Sequence, residues 1–335
     1  MDSTKRFRIT MNMNEDINSS SANTAKLDNA INAIGEIILG KNTAIKLALA
    51  CIIAKGHLLI EDTPGVGKTT LAHTLAKVLG LNYQRIQFTS DLLPADILGV
   101  SVYNRDTSKF DFHPGPVFSN VLLADEINRA TPRTQSALLE AMAEFQVTTD
   151  NETRTLPEPF FVIATQNPQN QIGTYPLPES QLDRFLMRIE LGYPDNNAER
   201  ELLNGKDRKE LLENIQPILS GDELIPIQKQ LEHIHAADAI LDYLQDLLEF
   251  SRNSGNYLHG LSPRAGIAML SAAKAWALIH SHQHVLPEDI QAILPSVIGH
   301  RLQFVHEVSD KQALQPAQHL IQNVFHNFCT YIMYG

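Results

Sequence analysis

Residues 57–70 read HLLIEDTPGVGKTT, and this segment is the most informative one in the chain. The apolar run His57–Ile60 has the length of a short buried strand, and apolar residues at helical spacing follow Lys68. Between them lies a loop that contains Gly65 and Gly67. A strand, a glycine-rich loop and a helix in this order predict an α/β domain whose loop wraps phosphate groups.

The chemistry of this loop fits a nucleoside triphosphate. Glycines let backbone N–H groups approach phosphate oxygens closely, and the helix N-terminus adds a favourable dipole. We expect Lys68 to reach the β- and γ-phosphates and the Thr69 hydroxyl to bind Mg²⁺. The usual pattern has glycine at position 62, where this chain has Asp62, so this carboxylate either weakens binding or points outward. The predicted nucleotide-binding loop comprises Pro64, Gly65, Val66, Gly67, Lys68, Thr69 and Thr70.

A second apolar run, Val121–Ala124, ends in the acidic pair Asp125 and Glu126. Because open α/β sheets bind ligands at the carboxyl ends of their strands, we expect both carboxylates near the phosphate loop. Asp125 would then hold the Mg²⁺ shell together with Thr69, and Glu126 would orient and polarise a water that attacks ATP. Taken alone, Asp125 fits equally well as a cap of the following helix, with Glu126 solvated.

Three polar positions downstream carry weaker signals. Asn167 ends the next apolar strand, where its amide suits a hydrogen bond to the γ-phosphate or to water; a turn-forming Asn-Pro is the alternative. Arg184 precedes the last predicted strand and is a candidate arginine finger, or else one half of a surface ion pair. Arg264 lies in the first turn of a helix begun by Ser262 and Pro263, where a bound phosphate would offset its unfavourable place in the helix dipole. A solvent-facing arginine is the alternative there.

The wider pattern predicts two domains. Short apolar runs at 57–60, 121–124, 160–164 and 186–191 predict buried parallel strands with helices between them, which is typical of a doubly wound α/β domain. After residue 194 no convincing strand follows, and helical patterns occur near 197–204, 236–251, 263–280, 287–294 and 311–333. We therefore predict a mobile tail (1–25), an α/β domain (26–193) and a helical lid domain (194–335).

Composition narrows the function classes. The net charge of −11 gives no broad attraction for nucleic-acid phosphates. The two cysteines, Cys51 and Cys329, are far apart and belong to no ligand-spaced cluster, which fits a reducing, cytoplasmic location. No apolar run is long enough to cross a bilayer, and none follows the basic N-terminal residues, so we expect neither membrane insertion nor a secretory signal.

Taken together, the motifs resemble those of the MoxR family of AAA+ ATPases. The resemblance covers residues 27–305 and includes five further segments of the sequence: LPADILG (93–99), HPGPVF (113–118), ADEINRA (124–130), QSALLEAM (135–142) and GLSPRAG (260–266). It implies a P-loop AAA+ α/β domain with an insertion in its second helix, followed by a small helical lid.

The resemblance also implies roles and partners. ATP and Mg²⁺ are the implied cofactors, with Glu126 catalytic and Asn167 the first sensor. Arg184 becomes a finger that acts on the neighbouring subunit, and Arg264 becomes the second sensor, acting in its own subunit or the next. The family forms rings, here expected to be a homo-hexamer, and acts like a chaperone that remodels or matures protein partners. These partners often include proteins with von Willebrand factor A domains and metal cofactors. The segment implied beside the adenine is Ile38, Leu39 and Gly40.

Two predicted hairpins separate the possible functions. One spans Val100–Phe112 and turns around 104–108, and the other spans Gln146–Leu156 and turns at Asp150–Asn151. In related rings such loops face the pore and touch substrates. Asp106 and Asp111 accompany Arg105 and Lys109 in the first hairpin. Asp150, Glu152 and Glu158 flank Arg154 of the second, so neither hairpin makes a basic stripe and a nucleic-acid motor is disfavoured. A non-hydrolysing nucleotide-binding scaffold is disfavoured because the reactive residues are all present.

Overall fold

A computed structural model describes residues 23–167, 173–205, 208–305 and 315–324 of the 335-residue chain. The strands are β1 (Leu58–Glu61), β2 (Tyr83–Gln87), β3 (Gly99–Asn104), β4 (Lys109–Pro114), β5 (Val121–Asp125), β6 (Gln146–Thr149), β7 (Glu152–Thr155), β8 (Phe161–Gln166) and β9 (Met187–Ile189). The helices are α1 (residues 23–37), α2 (Asn42–Ile53), α3 (Lys68–Val78), α4 (Pro94–Leu98), α5 (Pro132–Glu144), α6 (Glu179–Leu182), α7 (Asn196–Leu203), α8 (Arg208–Asn214), α9 (Gly221–Gln230), α10 (Asp238–Asn253), α11 (Pro263–Ile279), α12 (Pro287–Ile298) and α13 (residues 316–324).

Five parallel strands form the central sheet in the order β2-β5-β8-β1-β9, which confirms the predicted α/β fold class. Strands β5 and β8 are buried along their whole length, as their continuous apolar sequences require. Strand β2 was not predicted. It lies at the edge of the sheet, where only one neighbour covers it, so its sequence YQRIQ is mostly polar and partly exposed.

The second part of the chain is helical, and its described residues contain only isolated β-bridges. Helices α8 and α9 were not predicted, because α8 is strongly polar and Pro226 interrupts the apolar pattern of α9. Helix α1 includes residues 23–25, which the sequence analysis assigned to the tail; residues 1–22 lie outside the described residues. Of the helix predicted at 311–333, the described part is α13.

Both predicted hairpins are present. Strands β3 and β4 pair antiparallel, as do β6 and β7, and the second turn places Asp150 and Asn151 at positive φ. The guanidinium of Arg154 lies 3.9 Å from the ring centre of Phe112, so the two hairpins touch.

One apolar core crosses the boundary between the two parts. Buried residues of α1, α2 and α3 belong to the same cluster as those of α10, α11 and α12, while α5 and the opposite face of the sheet build a second core. The amide of Gln228 in α9 also donates to the carbonyl oxygen of Ile52 in α2 (2.8 Å). The helical part therefore packs directly on the α/β part. Within the described ranges, every helix is too short or too polar to cross a membrane.

Candidate functional site

The loop between β1 and α3 has the backbone shape that its glycines allow. Gly65 and Gly67 have φ values of +89° and +98°, a region that side chains disfavour. Open space surrounds both positions, so their conformation rather than crowding requires glycine. Gly67 directly precedes α3, and Lys68 to Thr70 form the first turn of that helix. The backbone N–H groups at the start of α3 are thus presented as an anion site.

Lys68, the first residue of α3, makes two hydrogen bonds through its side chain. Its ammonium donates to the backbone carbonyl oxygen of Asp62 (2.5 Å) and to Oδ1 of Asn167 (3.0 Å). Burial lowers the pKa of Lys68, and the nearby carboxylates of Asp62, Asp125 and Glu126 oppose that shift. The lysine is therefore positioned at the carboxyl edge of the sheet, among the acidic groups that the sequence analysis had singled out.

Asp125 ends β5 with both carboxylate oxygens engaged. Its Oδ1 accepts from the hydroxyl of Thr165 (2.6 Å), and its Oδ2 accepts from Nη2 of Arg85 (2.6 Å) on the edge strand β2. Thr165 is fully buried on the neighbouring strand β8, whereas the side chain of Arg85 is about half exposed. Sequence reasoning missed both residues, because neither belongs to a recognisable motif.

Glu126 follows in a left-handed conformation (φ 57°, ψ 50°), which turns its side chain away from the direction of β5. Its Oε1 accepts from Nδ2 of Asn167 (3.2 Å), and its Oε2 pairs with Nε of Arg129 (2.6 Å). Gln87 of β2 donates to Oε2 as well (3.1 Å). Hydrogen bonds therefore connect Lys68, Asn167 and Glu126 in one chain, so three residues predicted from separate motifs lie together.

The structure explains Asp62, the departure from the usual loop pattern. One of its oxygens accepts from the backbone N–H of Thr63 (2.7 Å), and the other accepts from those of Leu191 (2.8 Å) and Gly192 (2.6 Å). The carboxylate is thus directed at the segment that follows β9. It fastens the start of the phosphate loop to the connection between the two parts of the chain.

The segment predicted to lie beside a base borders a cavity of its own. Ile38, Leu39 and Gly40 line an open cleft together with Glu201 of α7. Gly40 has positive φ, and a Cβ there would lie 3.2 Å from the Cβ of Ala198, so α7 approaches this turn closely. A planar group could be held between the α1–α2 turn and the first helix of the lid.

The oxygen donors at the carboxyl edge suit Mg²⁺. Thr69 and Asp125 carry hard oxygen donors, and no group of three or more His, Cys, Asp or Glu side chains in the described residues could hold a metal ion alone. Mg²⁺ is usually bound by one or two protein oxygens, with phosphate and water completing the shell. The side chains present therefore fit a magnesium ion that arrives with a nucleotide.

Arg184 and Arg264 lie elsewhere. Both line a cavity at the amino-terminal ends of β1 and β9, together with Lys55, Ile267 and Arg301. The four residues of β1 separate this cavity from the phosphate loop, a distance of about 13 Å along the strand. The arginines therefore lie together but at the opposite edge of the sheet from Lys68 of their own chain.

A buried guanidinium organises the turn that carries Arg184, here called the arginine turn (residues 183–186). Arg301 follows α12, and its side chain is only 6% exposed. Its Nε donates to Oδ1 of Asp183 (2.7 Å), and its Nη atoms donate to the carbonyl oxygens of Asp183, Phe185 and Leu186. The ring of His300 contacts the Phe185 carbonyl oxygen as well (3.1 Å). The end of α12 and the arginine turn thus form one hydrogen-bonded unit, which no sequence motif had indicated.

Comparisons with known proteins agree with this geometry. The family model of ATPases associated with various cellular activities (AAA) matches residues 57–187, and an AAA lid domain model matches residues 250–323. The uncharacterized protein YeaC of Bacillus subtilis is 46% identical over 82% of this chain and 86% of its own length. Chaperone MoxR1 of Mycobacterium tuberculosis is 38% identical over 86% of this chain and 78% of its own length. A crystal structure from Cytophaga hutchinsonii, assigned as an ATPase, superposes with a TM-score of 0.85 at 35% identity over 94% of this chain and 98% of that one.

Proposed function

The chain belongs to the MoxR family of AAA+ ATPases, and on that premise we propose that it hydrolyses ATP with Mg²⁺ in order to remodel protein partners. One observation carries the hydrolysis proposal: the chain of hydrogen bonds from Lys68 through Asn167 to Glu126, beside Asp125. These are the groups that phosphoryl transfer to water requires, a phosphate-binding cation, a metal-holding carboxylate and a water-orienting carboxylate.

Each residue then has a defined task. The N–H groups of the loop and Lys68 bind the β- and γ-phosphates, while Thr69 and Asp125 hold the ion. Mg²⁺, when bound, neutralises charge on the phosphate oxygens. Glu126 orients the attacking water and accepts its proton, and Asn167 fixes the position of the Glu126 carboxylate through the bond at Oε1. Ile38, Leu39 and Gly40 hold the adenine against α7.

The position of the arginine pair supports a site shared between subunits. Arg184 and Arg264 lie across the sheet from their own phosphate loop, so neither reaches the γ-phosphate bound there. We therefore propose a homo-oligomeric ring, a hexamer, in which both arginines act in trans on the nucleotide of the neighbouring subunit. An arginine supplied in this way stabilises the negative charge that develops during phosphoryl transfer.

The exposed surface of the first hairpin supports the proposal that the client is a protein. Tyr103 and Phe110 form an aromatic pair on the first hairpin, and the two residues are 51% and 71% exposed. Nearby charges alternate in sign, so this surface suits apolar polypeptide better than a phosphate backbone. Because a similar protein is named chaperone MoxR1, we propose a cytoplasmic remodelling or maturation function. A von Willebrand A domain protein and metal-cofactor insertion are the specific partner and process that we propose to test.

The test is ATP hydrolysis per subunit, measured against protein concentration with Mg²⁺ present. We expect a rate that rises steeply with concentration, falls about 10³-fold or more in Arg184→Ala and is abolished in Glu126→Gln. Nucleotide binding by the isolated Arg184→Ala subunit should match that of the parent. A rate that is independent of concentration and insensitive to Arg184→Ala would rule out the shared site. If Glu126→Gln hydrolysed ATP as fast as the parent, the assignment of the catalytic carboxylate would be wrong.

A further inference from the structure

One hydroxyl connects the two acidic residues at the end of β5. The Oγ1 of Thr165 donates to Oδ1 of Asp125 (2.6 Å) and accepts from the backbone N–H of Glu126 (2.9 Å). Strands β5 and β8 are parallel neighbours, and their register pairs Ala124 with Ala164, so the next residues along lie side by side. Thr165 has no solvent exposure, so water cannot replace its hydroxyl in either bond.

The two hydrogen bonds have different consequences. The bond to Oδ1 fixes the rotation of the Asp125 carboxylate, so that Oδ2 is directed at Arg85 on the edge strand β2. The bond from Glu126 holds a peptide at positive φ, a conformation that a residue with a side chain adopts only when its surroundings enforce it. That conformation is what brings the Glu126 carboxylate to Asn167.

We propose that Thr165 is a positioning residue for ATP hydrolysis, whose hydroxyl sets the metal-holding and the water-orienting carboxylates relative to each other. The inference rests on the proposed function, because it assigns Thr165 a part in the same reaction. Thr165 does not contact the nucleotide in this scheme. It acts through Asp125 on the ion and through Glu126 on the water, as hydrogen-bonded groups behind metal ligands commonly do.

A matched pair of variants isolates the hydroxyl. Thr165→Val keeps the shape and burial of the side chain but removes the donor and acceptor, whereas Thr165→Ser keeps both. Thr134→Val is the control, because Thr134 is another buried threonine whose hydroxyl donates to a backbone carbonyl, that of Leu92 (2.7 Å), away from the carboxylates. Any general effect of deleting a buried hydroxyl should appear in both valine variants.

We expect Thr165→Val to lower kcat about 10-fold or more and to raise the Mg²⁺ concentration for half-maximal binding of ATP by a similar factor. Its affinity for ATP in EDTA should stay within about 2-fold of the parent, because the phosphate loop is untouched. Thr165→Ser should restore both kcat and the Mg²⁺ response, and Thr134→Val should change neither. The Mg²⁺ response is measured with a fluorescent ATP analogue under conditions without turnover, so it does not depend on hydrolysis.

A purely structural role for Thr165 predicts something different: a lower melting temperature in Thr165→Val with kcat and the Mg²⁺ response both within about 2-fold of the parent. That result would overturn the inference and leave the proposed function intact. If the parent hydrolysed no ATP, the proposed function would fail, and the Mg²⁺ response of binding would still decide whether Thr165 positions Asp125. If the ATP affinity of the parent did not depend on Mg²⁺, the inference that Thr165 positions Asp125 for the ion would be refuted.

Discussion

Replacing Asp62 by glycine restores the usual residue of the phosphate loop, and we predict that this change destabilises the protein. The carboxylate accepts hydrogen bonds from the backbone N–H groups of Leu191 (2.8 Å) and Gly192 (2.6 Å), which lie 129 and 130 positions further along the chain. A hydrogen bond to a charged group contributes about 1.5–3 kcal/mol, and the partial exposure of Asp62 reduces that value. The added freedom of glycine in the unfolded chain costs about 0.5–1 kcal/mol more.

The expected loss is therefore about 3 kcal/mol of unfolding free energy in Asp62→Gly. Asp62→Asn keeps an acceptor oxygen but not the charge, so we expect about half that loss. Urea unfolding followed by circular dichroism reports on the whole chain, and the fluorescence of Trp276, the one tryptophan in the sequence, reports on α11 of the lid. Asp106→Gly, in the exposed turn of the first hairpin, is the matched control and should change stability by less than about 1 kcal/mol.

An Asp62→Gly variant as stable as the parent, or more stable, would refute this reasoning. It would mean that the N–H groups of Leu191 and Gly192 find water or another acceptor at no cost. The carboxylate would then be a tolerated departure from the loop pattern rather than the group that fastens the loop to the following connection.

Two further expectations concern assembly and pH. Ile267 is 68% exposed and lies one helical turn after Arg264, so a ring in which Arg264 acts in trans buries Ile267 at the contact between subunits. Ile267→Asp should therefore weaken assembly at least about 10-fold in analytical ultracentrifugation, and ATP binding by the monomer should be unchanged. Burial lowers the pKa of His57 from 6.5 to about 4, so between these values the unfolded chain binds a proton that the folded chain does not. The unfolding free energy should thus fall by about 2 kcal/mol through this residue between pH 7 and pH 5, and urea titrations of His57→Gln should lack that share of the pH dependence.

The sequence predicted the fold best where complete burial restricts a strand to apolar residues. Strands β5 and β8 are covered on both faces, so their apolar runs could be recognised directly, and the acidic end of β5 followed from them. The edge strand β2 escaped notice because exposure allows it to carry Gln84, Arg85 and Gln87. Two of these three polar side chains contact the acidic pair, so the part of the sheet with the weakest pattern contributes directly to the site.

Site residues could be predicted where a sequence motif contains them. They could not be predicted where only the folded structure brings them into the site. Lys68 and Glu126 follow from local patterns, and the parallel sheet explains why they meet at one edge. Thr165 is one threonine in a buried β-branched strand, and Arg301 is one arginine after a helix. Nothing local separates them from ordinary residues, because their partners lie 40 and 118 positions away in the chain.

The unit formed by Arg301 and the arginine turn also bears on how such proteins can be recombined. A division of the chain by sequence separates an α/β segment from a lid near residue 193, yet Asp183 and Phe185 accept hydrogen bonds from Arg301 at the end of α12. A chimera that exchanged the lid alone would leave the partly buried carboxylate of Asp183 and three backbone carbonyl oxygens facing a foreign surface. An exchange of the lid would succeed only if it included residues 183–186. The part of the chain that packs as one unit therefore differs from the lid segment that is continuous in sequence.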